Sequence, residues 1–183
     1  MSTDNMQSGN RKFIERMKEI DPDFFKTSGA GQNPDYFVIA CSDSRTDPET
    51  ITSSLPGRIF SHRNIANQAN VNDDSFRAGL YYALAALQVD AVIVLGHTGC
   101  GGIKAVKDGV DHAELAPWLA VIQNRLESQT ADLENLSVGE LEKLNIQAQV
   151  EHILSTSAYR EAGSDIPVIG GLYHTESGEI EWL

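Results

Sequence analysis

Three runs of apolar residues without polar alternation constrain this chain more than any other feature. They are Tyr36–Ala40 (YFVIA), Ala91–Leu95 (AVIVL) and Ile166–Tyr173 (IPVIGGLY). A strand with one solvated face alternates apolar and polar side chains, so an unbroken run predicts a strand covered on both faces, the habit of parallel sheets. Helical patterns lie between the runs, over residues 74–88 (DSFRAGLYYALAALQ), 113–128 and 135–156. Strands alternating with helices predict an α/β fold, with a mostly parallel central sheet, flanking helices and right-handed crossovers. Arg58–Arg63 reads as a further strand after the turn at Pro56 and Gly57, and Glu179–Leu183 as an edge strand after Ser177 and Gly178. The expected strand order is 2-1-3-4, with the C-terminal edge strand added. Ahead of the sheet, residues 11–26 set Phe13, Ile14, Met17 and Ile20 on one helical side. The expectation is one domain over 1–183, with an N-terminal helical arm over 1–34 and an α/β core over 35–183.

The charge balance narrows the class of partner. The 183 residues carry 14 Lys and Arg against 26 Asp and Glu, a formal net charge of -12. Phosphate binding draws on cationic side chains to release counterions, so neither nucleic acid nor an anionic membrane surface is an expected partner. No run approaches the roughly 18 apolar residues that a membrane-spanning helix needs. The polar start, MSTDNMQSGNRKFIERMKEI, lacks the apolar stretch of a secretory signal, and the expected location is the cytoplasm. Two cysteines are too few for a disulfide framework.

Those two cysteines stand in polar motifs where two strands end. Cys41 opens CSDSR directly after the first apolar run, and Cys100 lies in GHTGCGG directly after AVIVL. In an open parallel sheet ligands bind beyond the carboxyl ends of the strands, where the strand order reverses. With order 2-1-3-4 those two strands are neighbours, and Cys41 faces His97 and Cys100. Two thiolates and an imidazole are donors that zinc prefers, at roughly 2.0–2.3 Å, and three protein ligands leave a fourth position open, as catalytic sites require. A lone cysteine is more often a small buried hydrophobe and a lone histidine a packed one. All three at adjacent strand ends favour the metal reading. Two thiolates cancel the formal charge of Zn²⁺, so bound water is acidified less than at an all-histidine site, and further groups are expected to assist it. Asp43 lies two residues after Cys41, and Arg45 two further on. In an extended turn both can point at one cavity, with Arg45 holding the carboxylate through a charge-assisted pair.

CSDSR, RIFSHRNIANQ and GHTGCGG, in that order and spacing, resemble the β-carbonic anhydrase family, and the resemblance runs from about Phe13 to the C-terminus. It implies one zinc ion per chain on Cys41, His97 and Cys100, with Asp43 and Arg45 as the assisting dyad. It implies reversible hydration of CO₂ to bicarbonate and a proton through zinc-bound hydroxide. Position by position, it further implies that Gln32, Phe60, Ile65, Tyr82 and Gly101 belong to the substrate pocket. Without the resemblance, Phe60 and Tyr82 read equally well as packing residues. Some bacterial members regulate themselves with bicarbonate and carry a tryptophan three residues before the first cysteine ligand. Here Val38 stands there and Ala40 replaces their glycine, so the plant-like, open class is expected. The resemblance also implies self-association as a dimer or tetramer through the N-terminal arm.

Two alternatives share the zinc site. The first is hydrolysis of carbonyl sulfide or carbon disulfide, which are also small, linear and electrophilic at carbon. The second is a non-catalytic zinc protein in which Asp43 closes the fourth position; Arg45, by giving Asp43 another partner, argues against it. His62, His112, His152 and His174 could each relay protons, and the sequence singles out none of them.

Overall fold

The computed structural model describes residues Thr3–Leu183, which form two compact units, one ending at Asn33 and the other spanning Pro34–Leu183. The first unit holds helices α1 (Asp4–Ile20) and α2 (Phe24–Ala30). Helix α1 starts well ahead of the apolar stripe that announces it. Phe25 joins the two helices, with its ring edge-on to Phe13 at 6.0 Å and to Phe24 at 5.1 Å between centroids.

The second unit is built on five strands: β1 (Tyr36–Cys41), β2 (Ile59–Asn64), β3 (Ala91–His97), β4 (Val168–Tyr173) and β5 (Ile180–Trp182). Their order is β2-β1-β3-β4-β5, parallel except for the antiparallel edge strand β5. This is the expected topology. Six further helices connect the strands among the described residues: α3 (Pro48–Ile51), α4 (Asp74–Tyr81), α5 (Gly101–Lys107), α6 (Ala116–Glu127), α7 (Val138–Ser155) and α8 (Ser157–Ala162). The segment expected as one helix over 74–88 changes character midway. After α4 it continues as a π-helical turn, Tyr82–Leu87, and closes at Gln88 with φ 53°. Short α3 and α8 carry no periodic signal, and both are set by caps. The Asp47 side chain accepts the Thr50 N–H, and the Thr156 side chain accepts the Tyr159 N–H.

One face of the sheet carries the main core. Phe37, Ile39, Val92, Val94 and Leu172 pack there against Phe76, Leu80, Leu84, Ile146 and Ile153. Helix α7 comes close to the strands because Gly96 has no side chain. A Cβ at Gly96 would stand 2.6 Å from the Ile146 side chain. A reciprocal capping box fixes the start of α7, in which Ser137 accepts the Glu140 N–H and Glu140 accepts the Ser137 N–H.

The opposite face is apolar but thinly covered. Val38, Ala40 and Leu95 lie there with Ile51, Ile59, Ile93, Tyr173 and Ile180 around them. A groove of about 420 Å³ runs over this face, bordered by Tyr36, Ile93, Ile169 and Trp182. None of the described helices is long and apolar enough to cross a membrane.

Candidate metal centre

Strands β1 and β3 are adjacent and parallel, so their carboxyl ends deliver the two cysteine motifs to one place. Cys41 is the last residue of β1, His97 the last of β3, and Cys100 the residue that opens α5. The ligand atoms of these three residues all lie within 4.8 Å of one another, and all three residues are buried. They form the sole such trio of potential ligands among the described residues.

The imidazole is prepared to ligate. His97 Nδ1 lies 3.0 Å from the Thr98 carbonyl oxygen, which can only accept, so Nδ1 carries the hydrogen and Nε2 presents its lone pair. Nε2 is buried and has no hydrogen-bond partner in the protein. An orphaned acceptor of this kind is costly unless something binds it. Two thiols beside that lone pair make a soft donor set that suits zinc.

The two thiols of the trio shift in opposite directions. A hydrogen bond from the Cys100 thiol draws the Cys41 thiol down to about 4, against the opposing effect of burial, with further help from His97 and from the Asp43 and Ala66 N–H groups. The same hydrogen bond, together with burial, pushes Cys100 up. Burial pulls His97 down, but the neighbouring Cys41, the Thr98 carbonyl and Asp43 outweigh it and leave the imidazole raised.

Asp43 and Arg45 stand at the edge of the trio. Asp43 Oδ2 is 4.0 Å from His97 Nε2. Two parallel hydrogen bonds from Arg45 hold the carboxylate, and Arg45 Nη2 also reaches the Gly99 carbonyl at 3.4 Å, tying the first motif to the second. The Arg45 guanidinium keeps the Asp43 carboxyl well below the ordinary carboxylate range.

The remaining expected residues fall into three places. Ile65 and Gly101 lie beside the trio. The Ile65 side chain sits where a Cβ on Gly102 would point, at 2.7 Å, whereas the space beside Gly101 is open. Phe60 and Tyr82 pack on each other at 5.8 Å, and Phe60 also packs on Phe37 at 5.6 Å. Phe60 pairs with Phe37 across the strands, while Asn64 pairs with Cys41. That register leaves Phe60 four residues upstream of the ligand level, about 13 Å at 3.3 Å per residue. The fold therefore does not bring Phe60 to the trio of its own chain. Gln32 belongs to the N-terminal unit.

Several residues outside the expected site set also hold the centre. Arg63 donates from Nε to the Cys41 carbonyl at 3.0 Å and from Nη2 to the Asp43 carbonyl at 2.8 Å, and its Nη1 pairs with Asp47 at 3.1 Å. The Thr46 hydroxyl spans the same two carbonyls. Glu142, on α7, accepts the Cys100 N–H at 2.8 Å. Burial raises its carboxyl, with the Cys100 and Gly99 N–H groups pulling the other way. A polar residue in a helix reads as solvated, so only the three-residue spacing from Glu142 to Asn145 hinted at a shared buried face.

Comparison with known proteins agrees with this geometry. A sequence model of the carbonic anhydrase family matches residues 36–180. A carbonic anhydrase of Emericella nidulans is 32% identical over 98% of this chain and 82% of its own length. One of Saccharomyces cerevisiae is 30% identical over 95% of this chain and 85% of its own. Among solved structures, the β-carbonic anhydrase CafA of Aspergillus fumigatus superposes with a TM-score of 0.91 at 32% identity, covering 98% of this chain and 89% of that one. The Coccomyxa β-carbonic anhydrase, solved with acetazolamide, gives 0.90 at 26% identity, covering 100% and 86%. A tetrameric β-carbonic anhydrase of Sordaria macrospora gives 0.86 at 30% identity, covering 98% and 95%. A family match over most of the core, joined to relatives that align along nearly the whole chain, means that this chain belongs to the β-carbonic anhydrases, a family of lyases.

Proposed function

We propose that the chain catalyses the reversible hydration of CO₂ to bicarbonate and a proton, with one zinc ion held by Cys41, His97 and Cys100. The observation that carries this reading is the orphaned, buried Nε2 of His97 among two thiols. Zinc bound with an open position would act as a Lewis acid that makes water a nucleophile near neutral pH. The chain's own residues do the rest. The two thiolates and the neutral imidazole balance the charge of the ion. Asp43 would accept a hydrogen bond from a water at the centre and so orient it toward CO₂. Arg45 keeps Asp43 ionised and occupied, so that Asp43 would serve as an acceptor beside the metal and not as a ligand to it. The open space beside Gly101 gives a linear substrate room next to the nucleophile.

Self-association completes the proposal. The apolar, thinly covered face of a parallel sheet needs a partner surface, and a second copy of this chain would provide it. The tetrameric relative supports that reading. Phe60 and Tyr82, which pack on each other, would line the site of a neighbouring copy, since Phe60 stands about 13 Å from its own ligand level.

Stopped-flow CO₂ hydration between pH 7 and 9, with metal analysis on the same sample, tests the activity. The expected result is zinc-dependent hydration above the buffer rate, rising with pH. Full zinc with no rate above buffer at pH 8.5 would refute it.

A further inference from the structure

Helix α7 buries an unusual set of polar residues. Glu142, Asn145 and Gln149 are each nearly inaccessible. Their spacing puts them on one face of the helix, between the apolar anchors Leu141, Ile146 and Ile153. Polar side chains on a packed helix face are costly unless every group is paired. Here the pairing is directed at the metal centre.

Glu142 accepts the Cys100 N–H at 2.8 Å. Asn145 Nδ2 donates to the Ala66 carbonyl at 3.1 Å, and Gln68 Nε2 donates to the same carbonyl and to Asn145 Oδ1, both at 2.7 Å. Gln149 accepts the Ala69 N–H at 2.9 Å and donates to Gln68 Oε1 and Asn145 Oδ1. The segment thus gripped is strained, because Ala66 and Asn67 adopt φ 62° and 48°, the left-handed region that side chains disfavour. In that conformation the Ala66 N–H points at Cys41 Sγ, 3.4 Å away.

We propose that α7 is the positioning element of the centre. Glu142 sets the Cys100 loop, and Asn145 with Gln149 holds the Ala66 turn whose N–H orients Cys41. The proposal builds on the metal reading above, but its geometric content concerns the two cysteines themselves.

The test has two arms. In the first, the zinc-loaded protein is challenged with a chelator and zinc release is timed. Glu142→Ala and Asn145→Ala should release zinc about 10–100-fold faster than wild type, the usual cost of removing a partner that orients a ligand. Glu142→Gln, which keeps an oxygen acceptor, should stay within about threefold of wild type. Ile153→Ala, a cavity on the same helix, should lower the melting temperature without that acceleration.

In the second arm the metal-free chains are alkylated and the modified cysteine is identified by peptide mass. Glu142→Ala should expose Cys100 selectively and Asn145→Ala should expose Cys41 selectively, each by about tenfold. Equal acceleration at both cysteines in every variant, Ile153→Ala included, would overturn the proposal. So would wild-type rates in both alanine variants. If Glu142→Ala does not fold, Glu142→Gln decides alone, because a tenfold faster Cys100 with its acceptor still present contradicts the role. A wild-type chain that fails to retain zinc would refute the metal reading, and the alkylation arm would still judge the positioning.

Discussion

Arg45 grips both oxygens of Asp43, with Nε donating to Oδ1 at 2.9 Å and Nη2 to Oδ2 at 2.7 Å. The pair fixes a carboxylate at the rim of the trio, with Asp43 Oδ2 4.0 Å from His97 Nε2. Arg45→Ala frees that carboxylate. Activity should fall about 10–100-fold while zinc content holds, the pattern of a lost partner around a metal centre. The Asp43 carboxyl, held below its ordinary value by Arg45, should also rise. Its depressed value in the folded chain means that the pair stabilises the fold at pH above the ordinary carboxylate range and loses that effect as pH falls through the folded value. Hydration rates, metal analysis and acid titration of the variant check all three outcomes.

Gly101 and Gly102 should answer the same substitution differently. A Cβ at Gly101 meets open space, whereas one at Gly102 would stand 2.7 Å from the Ile65 side chain and 3.1 Å from that of Ala66. Gly102→Ala should therefore cost about 1–3 kcal/mol through overpacking. Gly101→Ala should leave the melting temperature near wild type and lower hydration activity, because its methyl enters the space proposed for substrate. Thermal melts beside initial rates separate the two.

His152 gives the fold an acid sensitivity away from the centre. Its Nε2 is buried without a partner, and burial, aided by Arg125, brings the imidazole down to about 4. The folded value lies below the unfolded one, so the unfolded chain binds the extra proton first. Stability is then lost as pH falls from about 6.5 towards 4. Urea midpoints should drop between pH 7 and 5, and His152→Leu should flatten that slope. An unchanged slope would show that His152 does not set the acid sensitivity.

A shared pocket predicts complementation between inactive chains. Cys41→Ala lacks a ligand and Tyr82→Ala lacks a proposed pocket wall. If Tyr82 serves the neighbouring copy, random mixed dimers restore about a quarter of the sites, each pairing intact ligands with an intact tyrosine. If Tyr82 serves its own chain, the mixture stays as inactive as its components. Co-expression from two tagged genes followed by rate measurement distinguishes the cases.

The sheet was legible because unbroken apolar runs have few other uses and strands separated by helices announce parallel pairing, although that alternation does not by itself set the order β2-β1-β3-β4-β5. The trio was legible because Cys41, His97 and Cys100 sit where two of those strands end. Other features left no periodic trace. Helix α1 begins at Asp4, in a polar stretch with no apolar stripe. The π-helical turn at Tyr82–Leu87 adds a residue per turn to a sequence that reads as ordinary helix. Arg63 looked like part of a motif, yet its guanidinium holds the backbone of Cys41 and Asp43. Glu142, Asn145 and Gln149 were hidden for a different reason. Polar residues on a helix suggest solvent, and only the packed structure shows that their partners are the loops of the centre.

In the proposed centre two sulfurs and one nitrogen would hold zinc, with a position left for water. X-ray absorption at the zinc edge, recorded at pH 7 and 8.5, tests this most directly. It should find two sulfur neighbours at about 2.3 Å and one imidazole nitrogen at about 2.0–2.1 Å. A fourth, light-atom neighbour should exchange for an added anionic inhibitor in wild type. A shell without the two sulfurs, or a fourth neighbour that no inhibitor displaces in wild type but that disappears in Asp43→Ala, would contradict it.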